Sequence, residues 1–129
     1  MIIETLTCLA LNIYFEARSE STLGQHAVAQ VTMNRVASDK YPNSVCDVVW
    51  QSGQFSWTND GKSDVPKNKE AWEKAKHIAK LTLEDSTRER FFIPPDVLYY
   101  HANYVKPYWA KKFVVVKKYG NHIFYRSKT

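Results

Sequence analysis

The feature that most constrains the fold is an apolar ridge near the N-terminus that continues into two carboxylates. Apolar side chains recur there at steps of four, three and four residues: Ile2, Leu6, Leu9 and Ile13. This spacing places them on one face of a helix that must pack against the rest of the chain. The next positions at the same spacing are Glu16 and Glu20. If the helix runs that far, acidic groups lie on the line of a buried stripe.

The rest of the chain predicts further helices and a little β-structure. Three helices are expected, at residues 23–36, 45–51 and 68–83. Ser21 or Thr22 can cap the first of these. Residues 97–102 and 122–126 are rich in Tyr, Val, Ile and Phe, which favours strands. We therefore predict an α+β fold, mainly helical, with a small two-stranded antiparallel β pair near the C-terminus.

The length of 129 residues fits a single domain over residues 1–129, since domains most often contain ~100–150 residues. No apolar run exceeds four residues, so we expect no membrane insertion. Residues 1–64 carry 4 basic and 7 acidic groups, whereas residues 65–129 carry 14 and 6. The C-terminal half should therefore attract a polyanion, such as nucleic acid, anionic lipid or bacterial wall polymer.

The cysteines and histidines give little support for a disulfide scaffold, a metal or a cofactor. Cys8 and Cys46 match no zinc motif, and we predict buried free thiols. A Cys8–Cys46 bridge stays open for an oxidising compartment. The four histidines are scattered singly, and no phosphate-binding or dinucleotide-binding glycine pattern occurs. We expect neither a metal nor a cofactor.

Glu16 is the first candidate catalytic residue. A carboxyl on the line of a buried stripe should be partly desolvated, which raises its pKa toward that of a general acid able to protonate a glycosidic oxygen. The alternative is an ordinary helix-end glutamate paired with Arg18 or Arg35. Glu20 would lie about 5–6 Å away between Cβ atoms if both were helical. Because neighbours on one helix point side by side, we interpret Glu20 as a supporting or orienting residue.

Two aromatic segments could line a binding groove. One is the loop 54–58, where ring faces could stack on sugars while polar groups donate hydrogen bonds. The other is the segment 99–104, which combines phenols, an imidazole and an amide. The alternatives are a loop anchored in the core by its Trp and a strand with one buried aromatic face. Together the segments supply the candidates Gln54, Ser56, Trp57, Tyr100 and His101.

A set of segments in order along nearly the whole chain resembles the SleB/CwlJ-type cell-wall hydrolases. The matching segments are residues 8–10, 12–18, 24–25, 27–31, 34–36, 41–46, 54–58, 60–64, 100–102, 106–110 and 120–126. The Glu-Ala/Ser-Arg-Gly-Glu motif of that family is matched by residues 16–20, with Ser19 where Gly is usual. Asn59 stands where many relatives carry Cys, which removes one candidate partner for Cys46.

The resemblance implies a lysozyme-like domain that cleaves the MurNAc–GlcNAc β-1,4 bond of peptidoglycan as a lytic transglycosylase. The family's catalytic glutamate falls on Glu16. It would protonate the leaving oxygen and then take a proton from the MurNAc 6-hydroxyl, which closes a 1,6-anhydro ring. Because this nucleophile is intramolecular, no second carboxylate is required. The expected substrate-binding residues are Glu20, Gln54, Ser56, Trp57, Tyr100 and His101.

Two other functions stay open at this point. A muramidase would hydrolyse the same bond with water, using Glu20 or Asp60 as a second carboxylate. A non-catalytic module would bind wall polymers or nucleic acid. We expect glycan strands and an anionic envelope surface as partners and no nucleic acid, because the basic tail is not interleaved with an RNA-binding aromatic motif.

The N-terminus lacks the basic region, apolar core and cleavage site of a secretory signal, so we expect synthesis without Sec export. A cationic lytic domain of this kind resembles a bacteriophage endolysin, made in the host cytoplasm and released onto the wall at lysis. A domain excised from a longer protein would look identical. We expect a monomer.

Overall fold

Four helices form the N-terminal part of the fold. The computed structural model describes residues 2–51, 55, 57, 61, 65–84 and 93–128. The helices are α1 (Ile2–Ala17), α2 (Thr22–Ala37), α3 (Val45–Val49) and α4 (Lys69–Glu84). Helices α1 and α2 each contact all of the other helices, and the contact of α1 with α4 is the most extensive, so α1 is the central helix of the helical core. The predicted helices are therefore present, with ends that differ by one or two residues.

The described part of the α1 ridge packs into the core, as its spacing predicts, with Leu6 half-buried. Leu9 and Ile13 are inaccessible to solvent. The helix ends at Ala17, so it does not run far enough for Glu20 to continue the helical ridge, and only Glu16 lies on it. The cause is a new helix start, because the Ser21 hydroxyl accepts a hydrogen bond from the Gly24 N–H at 3.2 Å and caps α2.

Helix α4 covers the helical core with one face. Ala75, Ile78 and Ala79 are buried, whereas Lys74 and Lys80 are exposed, as expected for a solvated face. Within the described residues, no helix combines the length and apolar character needed to cross a bilayer.

A three-stranded antiparallel sheet forms the C-terminal part. Its strands are β1 (Val97–Ala102), β2 (Phe113–Tyr119) and β3 (His122–Ser127), in the order β1-β3-β2. A 3₁₀ helix, Tyr108–Lys112, leads into β2. The prediction of only two strands is wrong, since β2 forms one edge of the sheet.

Strand β2 was missed because its composition is that of a protected edge. Val115, Lys117 and Lys118 are exposed, so the apolar alternation is weak, and edge lysines discourage pairing with other chains. A usable signal follows the strand. Gly120 and Asn121 form a two-residue turn between the paired Tyr119 and His122, with Gly120 at φ 55°, and such turns favour Gly and Asn.

Buried polar side chains of α2 fix β1 to the helical core. The Asn34 amide donates to the carbonyl oxygens of Pro94 and Val97, both at 2.9 Å. The Arg35 Nε donates to the Leu98 carbonyl at 2.8 Å. Because unpaired buried polar groups are costly, these bonds specify where β1 docks on α2.

Cys8 and Cys46 form a disulfide, so the prediction of free thiols is wrong. Helices α1 and α3 pack together, and this packing brings the two Cα atoms to 5.2 Å, within the usual range for a bridge. The two residues are 38 positions apart, and only the tertiary contact between the helices pairs them. The bridge joins the central helix to α3.

Candidate active site

Glu16 lies in the last turn of α1 and faces the sheet. The Tyr100 hydroxyl, from β1, donates a hydrogen bond to Glu16 Oε1 at 2.7 Å. Strand β1 is held against α2 by Asn34 and Arg35, so the phenol is positioned by the packing of β1 on the helices. The structure thus brings together two of the residues predicted from the sequence.

The surroundings of Glu16 favour its protonated form. Burial of the carboxyl raises its pKa above the ordinary value of 4.5. The Tyr100 hydrogen bond and, more weakly, the Arg35 charge oppose this effect. The carboxyl can therefore hold a proton at higher pH than a free glutamate, while two neighbouring groups stabilise its charged form once the proton has left.

Arg35 supplies positive charge from beneath the site. The side chain is 5% exposed, and its guanidinium lies over the rings of Tyr41 and Phe55, 5.0 and 5.3 Å from their centroids. Its Nη1 has no hydrogen-bond partner within the part of the chain that the structure describes. One alternative from the sequence was an ion pair between Glu16 and Arg35. The structure shows no such pair, and Arg35 acts on the Glu16 carboxyl only through its charge.

A cleft of about 240 Å³ opens beside Glu16. Its helical wall comes from the end of α1 and the α1–α2 connection, and its sheet wall comes from the ends of β1 and the β2–β3 turn. The cleft is lined by Phe15, Glu16, Arg18, Ser19, Glu20, Ala102, Tyr104, Asn121 and His122. The cleft is therefore a mostly polar site with a protonatable carboxyl in its wall.

Glu20 joins the two walls of this cleft. Its Oε1 accepts a hydrogen bond from the Asn121 N–H at 3.0 Å, and its Oε2 accepts one from Asn121 Nδ2 at 3.3 Å. A Cβ at Gly120 would lie 2.5 Å from Glu20 Oε1, so the carboxylate packs directly on the glycine. Glu20 thus links the α1–α2 connection to the β2–β3 turn, and its supporting role in the reaction stays a prediction.

His122 is a cleft residue that the sequence analysis did not select. It is buried beneath Glu20, with Nδ1 3.8 Å from Glu20 Oε1, and its ring packs edge-on against Tyr100. Burial lowers the pKa of His122 below the ordinary value of 6.5, and the Glu20 charge opposes this effect. The sequence contained a signal for this position. Alternate residues of a strand share a face, so His122 lies on the same face of β3 as the buried Phe124.

His101 lies on the other face of the sheet from Glu16 and does not line the cleft, so its expected contact with substrate stays a prediction. Its Nδ1 donates to the Ala102 carbonyl and its Nε2 accepts from the Tyr125 hydroxyl, both at 2.7 Å. The ring stacks on Tyr125, and Trp109 packs against it edge-on. Successive strand residues point to opposite faces, so Tyr100 and His101 cannot both face Glu16.

The predicted sugar platform at Trp57 is instead part of the core. Trp57 is 6% exposed, stacks on Phe15 at 4.9 Å and donates from Nε1 to Asn12 Oδ1 at 3.2 Å. Asn12, one turn before Glu16, in turn donates to Thr32 Oγ1. This is the core-anchored alternative stated above. Gln54 and Ser56 lie outside the described residues.

Metal ligands do not converge in this structure. Within the described ranges, no three His, Cys, Asp or Glu side chains come together as a metal site requires. Glu16, with the Tyr100 phenol and the buried Arg35 guanidinium near it, is equipped for proton transfer.

Known proteins resemble this chain in sequence over most of its length. The spore cortex-lytic enzyme of Bacillus cereus is 32% identical over 116 residues, which is 90% of this chain and 42% of that protein. The enzyme of the same name from Bacillus subtilis is 30% identical over 90% of this chain and 35% of its own length. The chain thus spans less than half the length of these relatives.

Solved structures resemble the fold described above. The catalytic domain of the germination-specific lytic transglycosylase SleB from Bacillus anthracis has a TM-score of 0.76 at 30% identity, over 95% of this chain and 93% of that one. The catalytic domain of Bacillus cereus SleB gives 0.67 at 27% identity, over 95% and 91%. The family model described as Cell Wall Hydrolase matches residues 19–125. The chain therefore belongs to the cell wall hydrolase family.

Proposed function

We propose that this chain is a lytic transglycosylase that cleaves the MurNAc–GlcNAc β-1,4 bond of peptidoglycan with Glu16 as its only acid and base. The observation that carries the proposal is the Glu16 carboxyl, which lines a polar cleft, accepts the Tyr100 hydrogen bond and has a raised pKa. The similarity to the SleB catalytic domain, which is named a lytic transglycosylase, supports the same reaction.

The acid step uses the protonated form of Glu16. Because Tyr100 donates to Oε1, the transferable proton is held on Oε2. Glu16 gives this proton to the glycosidic oxygen as the bond from that oxygen to MurNAc C1 breaks, and GlcNAc leaves as the alcohol. The raised pKa keeps Glu16 protonated at the pH where a free glutamate would be ionised.

The base step uses the carboxylate that remains. It takes the proton of the MurNAc 6-hydroxyl while that oxygen forms a bond to C1, which gives a 1,6-anhydro ring and restores protonated Glu16. Tyr100 and Arg35 both favour the charged form of Glu16 and so stabilise it between the two steps. One carboxyl therefore completes the reaction without a water nucleophile.

The contacts of Glu20 support this single-carboxyl scheme over hydrolysis. Both Glu20 oxygens accept hydrogen bonds from Asn121, and a carboxylate held in this way is poorly placed to activate water. Asp60, the other acid considered for a muramidase, lies outside the described residues. We therefore favour the transglycosylase and treat the muramidase as an outcome of the test.

The test is mass spectrometry of the fragments released from purified cell walls. We expect muropeptides ending in 1,6-anhydro-MurNAc, and no release by the Glu16→Gln variant. Ends that borohydride can reduce would instead establish hydrolysis and overturn the transglycosylase assignment. Release by Glu16→Gln at the wild-type rate would show that another residue is the acid.

We further propose host-cell lysis, as by a bacteriophage endolysin, as the biological setting. The Cys8–Cys46 bridge suits an oxidising compartment outside the cytoplasm, and the basic C-terminal half suits an anionic envelope. Bacteria producing the protein should grow normally until their inner membrane is permeabilised and then lyse. Intact cells after permeabilisation, with purified walls still cleaved, would contradict this setting.

A further inference from the structure

A second cavity, which we call the outer groove, lies on the face of the sheet opposite the cleft. Its volume is about 560 Å³. Its inner side is formed by half-buried or buried rings and alkyl groups from His101, Ile123 and Tyr125. Its exposed rim carries Lys106, Tyr108 and Lys111, and Tyr108 is 83% exposed. None of these residues has a role in the reaction proposed above.

The groups lining the outer groove define the chemistry of a ligand. The polar side-chain atoms of His101 and Tyr125 are already hydrogen-bonded, to each other and, through His101 Nδ1, to the Ala102 carbonyl, so this side of the groove presents mainly ring faces and alkyl groups. The two rim lysines add positive charge, and no acidic residue follows Asp96 in the sequence. The groove therefore suits a ligand with carboxylates and small apolar groups.

A single β-turn separates the outer groove from the cleft. The Val105 N–H donates to the Ala102 carbonyl at 3.0 Å, which closes a turn over residues 102–105. Ala102 and Tyr104 line the cleft, whereas Asn103 and Val105 line the outer groove. Because the ends of a β-turn lie less than about 7 Å apart, a flexible chain can pass from one cavity to the other.

We propose that the outer groove binds the peptide stem of the MurNAc unit whose glycosidic bond lies in the cleft. This inference rests on the proposed function. Peptidoglycan stems carry alanine methyl groups and several carboxylates, and an extended stem of about four residues reaches about 13 Å, enough to cross the turn. The methyl groups contact Val105 and Ile123, and the carboxylates pair with Lys106 and Lys111.

The test compares two cell-wall preparations in the Glu16→Gln background, where the wall is not cut. Both preparations are peptidoglycan freed of anionic wall polymers; the first, called intact, keeps its stems, and an amidase has removed the stems from the other. Lys106→Ala/Lys111→Ala should lower affinity about tenfold for intact walls and leave affinity for stripped walls unchanged. The matched control is Lys74→Ala/Lys80→Ala, which removes the same charge from the exposed face of α4 and should change neither.

A second measurement uses a soluble tetrapeptide stem and the protein with native Glu16. Titration should shift the NMR signal of the Ile123 methyl groups, and Tyr108→Ala should weaken the shift several-fold. The inference is overturned by an equal loss on both wall preparations, by a loss as large in the control, or by no shift at Ile123. Wall cleavage is measured in parallel, so failure of the groove and failure of the proposed reaction are distinguishable.

Discussion

The two walls of the cleft are held in place by different forces. The helical wall is the end of α1, which is packed among three helices and linked to α3 by the Cys8–Cys46 bridge. The sheet wall is docked on α2 by a hydrophobic cluster and by the Asn34 and Arg35 hydrogen bonds, and it also donates hydrogen bonds to the two cleft carboxyls, from Tyr100 to Glu16 and from Asn121 to Glu20. The helical wall thus carries the carboxyls, whereas the sheet wall supplies the groups that hydrogen-bond to them.

This difference separates stability from positioning. Changes in the helical wall should lower the free energy of unfolding and leave the reacting groups in place. Changes in the sheet wall should lower the free energy of unfolding less than changes in the helical wall do. They should lower activity more, because they act on Glu16 or on its neighbours. The following predictions test this separation.

The largest expected effect on stability comes from removing the disulfide. Cys8→Ser/Cys46→Ser should lower the free energy of unfolding by about 3–4 kcal/mol, because a 38-residue loop gains freedom in the unfolded chain. Urea unfolding measures this loss. Turnover below the unfolding transition should stay near wild type, and a collapse of turnover there would show that the bridge also positions Glu16.

Removing the Tyr100 hydroxyl should mainly affect catalysis. Tyr100→Phe should lower turnover by about 10–100-fold, because the carboxylate form of Glu16 loses a charge-assisted hydrogen bond. The same bond lowers the Glu16 pKa, so the alkaline limb of the pH–rate profile should move to higher pH.

The neighbouring residue supplies a matched control for Tyr100→Phe. Tyr99 lies on the other face of the sheet and stacks on Phe113 at 4.2 Å. Tyr99→Phe removes one hydroxyl from the same strand and should change neither turnover nor the pH profile. Equal effects of the two variants would mean that the Tyr100 hydroxyl acts only on the stability of β1.

Gly120→Ala tests the contact between the β2–β3 turn and Glu20. Both Gly120 and Gly61 have positive φ, so alanine at either costs about 1–2 kcal/mol in backbone strain. Of these two glycines, Gly120 packs on Glu20, whereas none of the described residues lies within 4 Å of a Cβ at Gly61. Gly120→Ala should therefore lower the free energy of unfolding by about 1 kcal/mol more than Gly61→Ala does, and it should raise KM. Equal losses of stability in the two variants, with an unchanged KM, would show that Glu20 does not position the sheet wall.

The smallest expected effect is a gain in stability when Glu16 is neutralised. The folded-state pKa of Glu16 is raised, so its protonated form favours folding, and this stabilisation is lost as pH rises from about 4.5 through the folded pKa. Glu16→Gln should therefore have a higher Tm than wild type at pH 7. The difference should vanish below pH 4.5, and a lower Tm at pH 7 would contradict the assigned pKa shift.

Sequence periodicity could identify Glu16 because the information is local. The ridge of α1 leads to Glu16 within a few helical turns, and burial of a carboxyl on such a ridge raises its pKa. The supports of Glu16 are not local, because Tyr100 is 84 residues away and the Glu20–Asn121 contact spans 101 residues. Such pairs depend on how β1 and the β2–β3 turn dock on the helices.

The alternation of β1 illustrates the same limit. The segment 99–104 predicts a strand with one buried aromatic face, and it could have placed either Tyr100 or His101 beside Glu16. The register shifts between Val97 and Tyr99. The burial of Val97 therefore does not indicate which of the following residues point toward the helices. A one-residue change of phase exchanges the faces, and the hydrogen bonds from α2 decide which one applies.

Tyr100 packs against both hydrophobic clusters, the one within the helices and the one between α2 and the sheet. Its hydroxyl can therefore reach Glu16 only after both clusters have formed. Closing a contact over 84 residues is a slow, non-local step in folding. The Glu16 site is consequently completed late in folding, and a chain interrupted before β1 carries this carboxyl without the hydroxyl that positions it.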